Sequence, residues 1–533
     1  MRRCIFFIFL ILFALPALAA PQAEQLTSKQ LGRVHFPVSC TPKSQAAFER
    51  GVAMLHSFWY EESEKAFELA ATQDPSCAMA HWGIAMSLWH ELWNQPDEDT
   101  LHRGLAETEK AEALHPRTQR EREYIAAIHT FYVDADHLPH QARAAAYSQA
   151  MQKVFQDFPR DREAAAFYAL SLLACERSND RAYVNRKKAA AILKKLFAEE
   201  PDHPGAAHYL IHAYDRPALA RLGLPAAERY AKIAPAAPHA LHMPSHIFAR
   251  LGMWQPDIDS NLASIAASRR AIALHMGGGS HQFHAMGFLF YAYLQCGKEA
   301  EAQALIAELR AMPSMKDMYG GGYDQRLSDL TMFEALYPLE LRHWAEAAAL
   351  TPEPGAGPGD QAMIYWARAL GKAHTGDPDG ARKDVEEMAS LREQLLQQKQ
   401  NRSADAVDDN LQQAQAWILH AEGKDAQAIA ALRALARKEE NVADPAQGLA
   451  ARELLADLLL ELKHPQQALE NYRLDLKLNP NRFDALYGAA QAAGMAGKSQ
   501  QADNYYAQLV KTCAGSGSTR PELSRAKELV AKE

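Results

Sequence analysis

Leu476–Ala490 reads LKLNPNRFDALYGAA, and its proline at 480 stands between two copies of one pattern. Ala468 and Tyr472 precede it and recur beyond it as Ala502 and Tyr506, a shift of 34 in both cases. Pro480 has no N–H to give to a helix, so it closes one helical segment and opens the next. Alanine recurs where two helices must approach closely, and the tyrosine four residues on shares its face. Such a unit cannot bury its apolar face alone, so neighbouring units stack.

The same pattern appears far upstream. FWYEESEKAFELAATQDPSCAMAHWGIAM (58–86) places Ala66, Phe67 and Ala70 before Pro75, with a new helix after it. Pro201 and Pro235 are again 34 apart. Helix–turn–helix units of this period are the tetratricopeptide pattern. The sequence therefore predicts an all-α protein, a tetratricopeptide-type α-solenoid in which helical hairpins form a superhelix. Further helices are expected near 120–132, 141–157, 161–175, 182–199, 283–296, 299–311 and 361–375. TPEPGAGPGD, at 351–360, is the expected linker between an N-terminal solenoid (40–350) and a C-terminal one (361–512). A loosely packed tail (513–533) follows.

Arg2 and Arg3 precede an apolar run from Ile5 to Leu15. That run is shorter than the roughly 20 residues of a membrane span. Ala17-Leu18-Ala19 then supplies small residues for a signal peptidase. The expectation is a signal peptide over 1–19 and a soluble mature chain, periplasmic or secreted. Cys40, Cys77, Cys175, Cys296 and Cys513 are then left, an odd and scattered set without a CxxC pair or the look of a disulfide framework. A net charge of −8 argues against nucleic acid as a partner.

Nine of the 22 histidines fall between His203 and His284. HPGAAHYLIHAYD (203–215) carries His208 and His212 four apart, and PHALHMPSHIF (238–248) carries His242 and His246 four apart. The first pair maps on the second by the same shift of 34. Residues four apart share a helix face, and residues one repeat apart occupy equivalent places on neighbouring hairpins. Counting from the closing prolines, His208 and His242 take the fifth place of their units, His212 and His246 the ninth, and His239 the second. Aligning the turn CGK (296–298) with LGM (251–253) puts His284 at the second place of the next unit and Tyr291 at the ninth. Asp215 follows His212 by three residues. In tetratricopeptide proteins these places line the concave surface, so His208, His212, His239, His242, His246 and His284 are expected to converge in a groove.

Imidazole is the commonest metal-ligating side chain, and three or four together suit zinc, copper or iron. Six exceed one tetrahedral ion, so one or two ions are expected, with Asp215 as a ligand or as the partner of a ligand's other ring nitrogen. Such a site would serve metal handling or metal-dependent chemistry. The competing reading is an envelope scaffold without metal, whose polar groove holds a peptide or protein partner. A clamp for carboxylates would be expected to use Lys, Arg and Asn at those places. Pro244 either starts or kinks its helix and should push Met243 towards extended geometry. Met243 reads as core more readily than as a soft copper ligand.

LHSFWYEESEKAF (55–67), DPSCAMAHWGIAMSLWH (74–90), PDHPGAAHYLIHAYD (201–215), YAKIAPAAPHALHMPSHIFARLG (230–252) and HAMGFLFYAYLQ (284–295) together resemble a poorly characterised group of exported bacterial tetratricopeptide proteins. The likeness spans most of 40–310 and implies the fold but no reaction. Relatives often carry Trp where His81 stands, which leaves His81 outside the site.

Four other features carry weaker readings. Glu61 and Glu62 would reach the groove only if superhelical curvature brought them there, as ligands or as a base. Trp82, Met86, Trp89 and His90 form one helix stripe that reads as packing. HELWN (90–94) ends in Asn94 where a zinc-protease motif needs a second histidine. MGGGS (276–280) and YGGGYD (319–324) lack the strand context of phosphate loops and read as connectors, the first as a lid beside His281 and His284.

Overall fold

Helix termini are written into the sequence one by one. The computed structural model describes residues 26–90, 92, 95–176, 180–315, 323–440 and 448–531. Thr118 and Glu121 form a capping box at the start of Gln119–Tyr132. Asp161 accepts from the backbone N–H groups of Glu163 and Ala164 at the start of Arg162–Ala174. Pro204, Pro238, Pro358, Pro378 and Pro465 each open a helix in its first turn. Hairpin turns close on glycine in the left-handed region, Gly252 at φ 64° and Gly297 at φ 71°. These are the LGM and CGK turns, and a side chain at either glycine would be strained.

Among the described residues the regular secondary structure is helical, and consecutive helices pack on one another, as the tetratricopeptide period demands. The chain is an all-α solenoid of the tetratricopeptide type. The expected helices lie within a few residues of those observed, such as Gln119–Tyr132, His140–Asp157, Val184–Glu199 and Pro358–His374. Apolar side chains collect in two main clusters, one drawn from Leu31 to Ala271 and one from Ala249 to Ala526. The stretch 351–360 joins Trp344–Ala348 to Pro358–His374 beside the second cluster. No described helix is long and apolar enough to cross a membrane.

One disulfide adds to the sequence reading, and two expectations are corrected. Cys40 and Cys77 form a disulfide. They are 37 residues apart, close to one repeat, so stacking brings the start of one hairpin against the start of the next. A loop of that size gains about 2–4 kcal/mol from closure. Met243 stays helical at φ −52° and ψ −34°, not extended. Pro244 fits because it takes the first turn of a new segment, Pro244–Arg250, directly after Pro238–His242. The tail is also packed. Pro521–Val530 is a helix that buries Leu523 and Ala526, held by Arg520 against Asp484 and over the Phe483 ring.

The segment 1–19, most of HELWN and most of YGGGYD lie outside the described residues.

Candidate metal centre

The repeat phase places the histidines in two groups of three. His208 and His212, from Pro204–Tyr214, meet His239 at the start of Pro238–His242. His242 and His246, on either side of the proline break, meet His284 near the start of His281–Gln295. Within each trio one nitrogen from every ring lies within 4.8 Å of the others. Each trio thus takes the fifth and ninth places of one unit and the second place of the next. The trios adjoin, with ring centres 6.3 Å apart for His212 and His246 and 6.0 Å for His239 and His242.

The hydrogen bonds orient the rings. Asn261 donates through Nδ2 to Asp257, so its Oδ1 faces His242 and accepts from Nδ1 at 2.7 Å. His246 Nδ1 lies 3.0 Å from Oδ2 of Asp215, whose other oxygen accepts from Arg250 at 2.8 Å. Burial alone would raise the Asp215 pKa, but Arg250 and His246 outweigh it and hold the group well below the usual carboxylate range. An ionised carboxylate only accepts, so His246 Nδ1 carries the proton. The Nε2 atoms of this pair face one another at 3.0 Å. In the first trio His208 Nδ1 donates to the backbone carbonyl of His56 at 2.6 Å, and its Nε2 faces Nε2 of His212 at 3.0 Å.

Two ring nitrogens at that separation need a proton or a cation between or beside them. Two imidazoles on one tetrahedral ion, with bonds of about 2.0–2.1 Å, would sit at about 3.3 Å. A proton shared between the rings is the other remedy, but burial acts against it. Desolvation lowers His242 and His212 well below the histidine norm and brings His208 and His284 down to about 3. The donor set suits a transition-metal ion.

Every residue foreseen for the site is accounted for. Asp215 lies outside both trios of grouped atoms and bonds His246 and Arg250, the arrangement expected of a partner to a ligand's other nitrogen. The six histidines do converge, but five of them are buried and do not line an open groove. The cover is Phe58, in the turn between Pro42–Leu55 and Tyr60–Gln73, whose ring centre lies 4.4 Å from His208, 5.7 Å from His212 and 5.4 Å from His239. Phe288 plays the matching part for the second trio, at 5.0, 4.6 and 5.4 Å from His242, His246 and His284. Glu61 and Glu62 are outside both trios. They accept from the N–H groups of Gly278 and Gly277, while Trp59 donates to the Gly277 carbonyl, so the MGGGS run is pinned down beside His281. Met243 is fully buried in the apolar cluster, and His81 bonds Glu107. Trp82 packs among Phe36, Tyr124 and Phe167, as a core stripe should.

A third buried group, unforeseen, lies alongside. Glu163 accepts from Nε2 of His56 at 2.7 Å and from Nε2 of His203 at 3.1 Å. His56 Nδ1 lies 2.9 Å from the Tyr209 hydroxyl, and His203 Nδ1 accepts the N–H of Ala206 as a helix cap. Gly205 holds the second place of its unit, where His239 and His284 stand in the next two, and a Cβ there would meet the His56 ring at 2.5 Å. That missing side chain was the available signal. At the far end, the fifth and ninth places after His284 are Gly287 and Tyr291, and the Tyr291 hydroxyl accepts from Arg482 at 2.5 Å. The histidine series stops there.

No protein-family model matches the chain, and no curated protein matches it. Solved structures similar to it include the human IFIT1 dimer with m7Gppp-AAAA, at 12% identity over 90% of this chain and 96% of that one, with a TM-score of 0.35. Naa15/Naa10 bound to HypK-THB is similar at 11% identity over 92% and 91%, with a TM-score of 0.23.

Proposed function

We propose that this is an exported helical-repeat protein, of the bacterial group named above, that binds one or two transition-metal ions on its two histidine trios. Copper, zinc and iron all suit such donors. One observation carries the reading: His242 and His246 turn their Nε2 atoms on each other at 3.0 Å, while Asn261 and Asp215 hold their opposite nitrogens. Partners of that kind orient metal-ligating histidines in known sites. The Cys40–Cys77 disulfide supports export to a periplasmic or extracellular space, where such bonds persist. Burial of the trios weighs against a groove that grips a peptide through its histidines, and leaves the outer repeat surface for any protein partner.

The test is elemental analysis of the purified chain. One or two equivalents of transition metal are expected, falling on combined His212→Ala and His246→Ala substitution. Metal content near zero in protein purified without chelator, and after incubation with each ion, would sink the reading.

A further inference from the structure

The two trios share a composition that narrows the chemistry further. Among the described residues each holds three imidazoles, and neither includes a carboxylate or thiolate among its grouped atoms. The one carboxylate that reaches a ligand, Asp215, is already bound to Arg250. Around it, Glu176 pairs with both Arg186 and Arg216, and Arg186 also donates to the His212 carbonyl. Among the described residues, three guanidinium groups therefore face two carboxylates at the edge of the site. Those two carboxylates do not offset the four positive charges of two divalent ions in a buried space, where each uncompensated charge is expensive.

Two monovalent ions halve that charge. Among metals that favour imidazole, copper has an accessible monovalent state, and three nitrogen donors make a complete shell for Cu(I) without an anion. The paired layout then gains a purpose. The trios lie side by side, ring centres 6.0–6.3 Å apart at the closest pairs, with one phenylalanine packed on each. Buried imidazoles shielded by phenylalanine rings would keep water from two reducing ions and suit a small apolar oxidant.

We infer that the trios hold a pair of copper ions which, as Cu(I), bind dioxygen between them. This rests on the metal-binding reading above. Each Cu(I) gives one electron and becomes Cu(II), and dioxygen accepts both and becomes a peroxide dianion held by the two ions. No proton or third reactant is needed for that step. His208, His212 and His239 hold one ion, and His242, His246 and His284 the other.

The experiment loads the metal-free full-length mature chain with Cu(I) under anaerobic conditions, then admits dioxygen. Two copper ions per chain are expected, with one dioxygen taken up per two copper ions and an intense near-ultraviolet band from peroxide-to-copper charge transfer. The oxidised pair should give little or no paramagnetic resonance signal, because its two unpaired spins couple. His242→Ala with His246→Ala should keep one copper and lose dioxygen uptake. His284→Gln, a milder change at a partly exposed ligand, serves if the double variant misfolds, and should cut uptake at least tenfold. Two bound copper ions without dioxygen uptake, or with the full signal of isolated Cu(II), would overturn the proposal and leave the metal reading standing. Two tightly held zinc ions that copper cannot displace would do the same. Failure to bind any metal would remove both.

Discussion

His56–Glu163–His203 and His242–His246–His284 are both largely buried, histidine-rich groups, and they differ in how their nitrogens are paired. In the first, both ring nitrogens of both histidines have partners, and the carboxylate between them accepts two N–H groups. In the second, and in the trio around His208, ring nitrogens turn towards one another at 3.0 Å. Residue type alone does not distinguish a brace from a candidate metal centre. The pairing of the nitrogens does. A closed set is complete as it stands, whereas ring nitrogens that face each other leave room for a cation between or beside them.

The largest expected effect tests the closed set. Glu163→Ala leaves two buried N–H donors unpaired, and its expected cost is about 3–5 kcal/mol of stability. Chemical denaturation measures that loss, and metal equivalents per folded chain should not change. His212→Leu should behave in the opposite way. It removes one of two facing nitrogens at nearly conserved volume, so stability without metal should change by less than about 1.5 kcal/mol. Metal content should fall from two equivalents to one. Were Glu163→Ala to release metal while His212→Leu kept it, the assignment of brace and centre would be reversed.

Acid separates the regions next. Desolvation holds His208 and His284 at about 3 and His281 at about 4, against 6.5 when exposed. The unfolded chain takes up protons below pH 6.5 that the native chain refuses. The stability these rings contribute is therefore whole above about pH 6.5 and declines as pH falls towards 3–4. The slope is about 1.4 kcal/mol per pH unit for each histidine. Acid unfolding followed by circular dichroism should be steep in the metal-free protein, and should move to lower pH when metal is added.

Sequence reading reached the two sets unequally. The 34-residue period located His208, His212, His242 and His246 on equivalent faces, because that period is a property of one chain segment after another. The partition into trios depends on superhelical pitch, which sets His239 against the preceding pair and His284 against the next. The brace draws His56, Glu163 and His203 from three separate hairpins, and no local spacing connects them. Phe58 was visible only as an aromatic in a turn. Its place over three imidazoles follows from a positive φ of 51° at that residue, which turns the chain there. Cys40 and Cys77 were legible in principle, since their separation nearly matches one repeat.

A smaller effect should come from the groups that orient ligands. Asp215→Asn keeps the shape of the side chain but loses the negative charge that His246 Nδ1–H faces. Metal affinity should fall about 10–100-fold with stoichiometry preserved. Competition with a chelator of known strength reads this directly. No change in affinity would mean that His246 is not a ligand in the orientation described.

The smallest effect returns to the closed set. The Tyr209 hydroxyl lies 2.9 Å from His56 Nδ1 and donates to it, since Nε2 is committed to Glu163. Tyr209→Phe leaves that nitrogen bare in a buried place, which costs about 1 kcal/mol, and more if no neighbour adjusts. Glu163 still fixes the tautomer, so the ring should not turn. His56 supports the first trio through its backbone carbonyl, which accepts from His208 and does not depend on its own ring. Metal affinity should therefore stay within about twofold, well short of the Asp215→Asn loss. An equal loss in both variants would show that brace and centre are one coupled network. Unequal losses would locate the boundary between them at the His56 carbonyl.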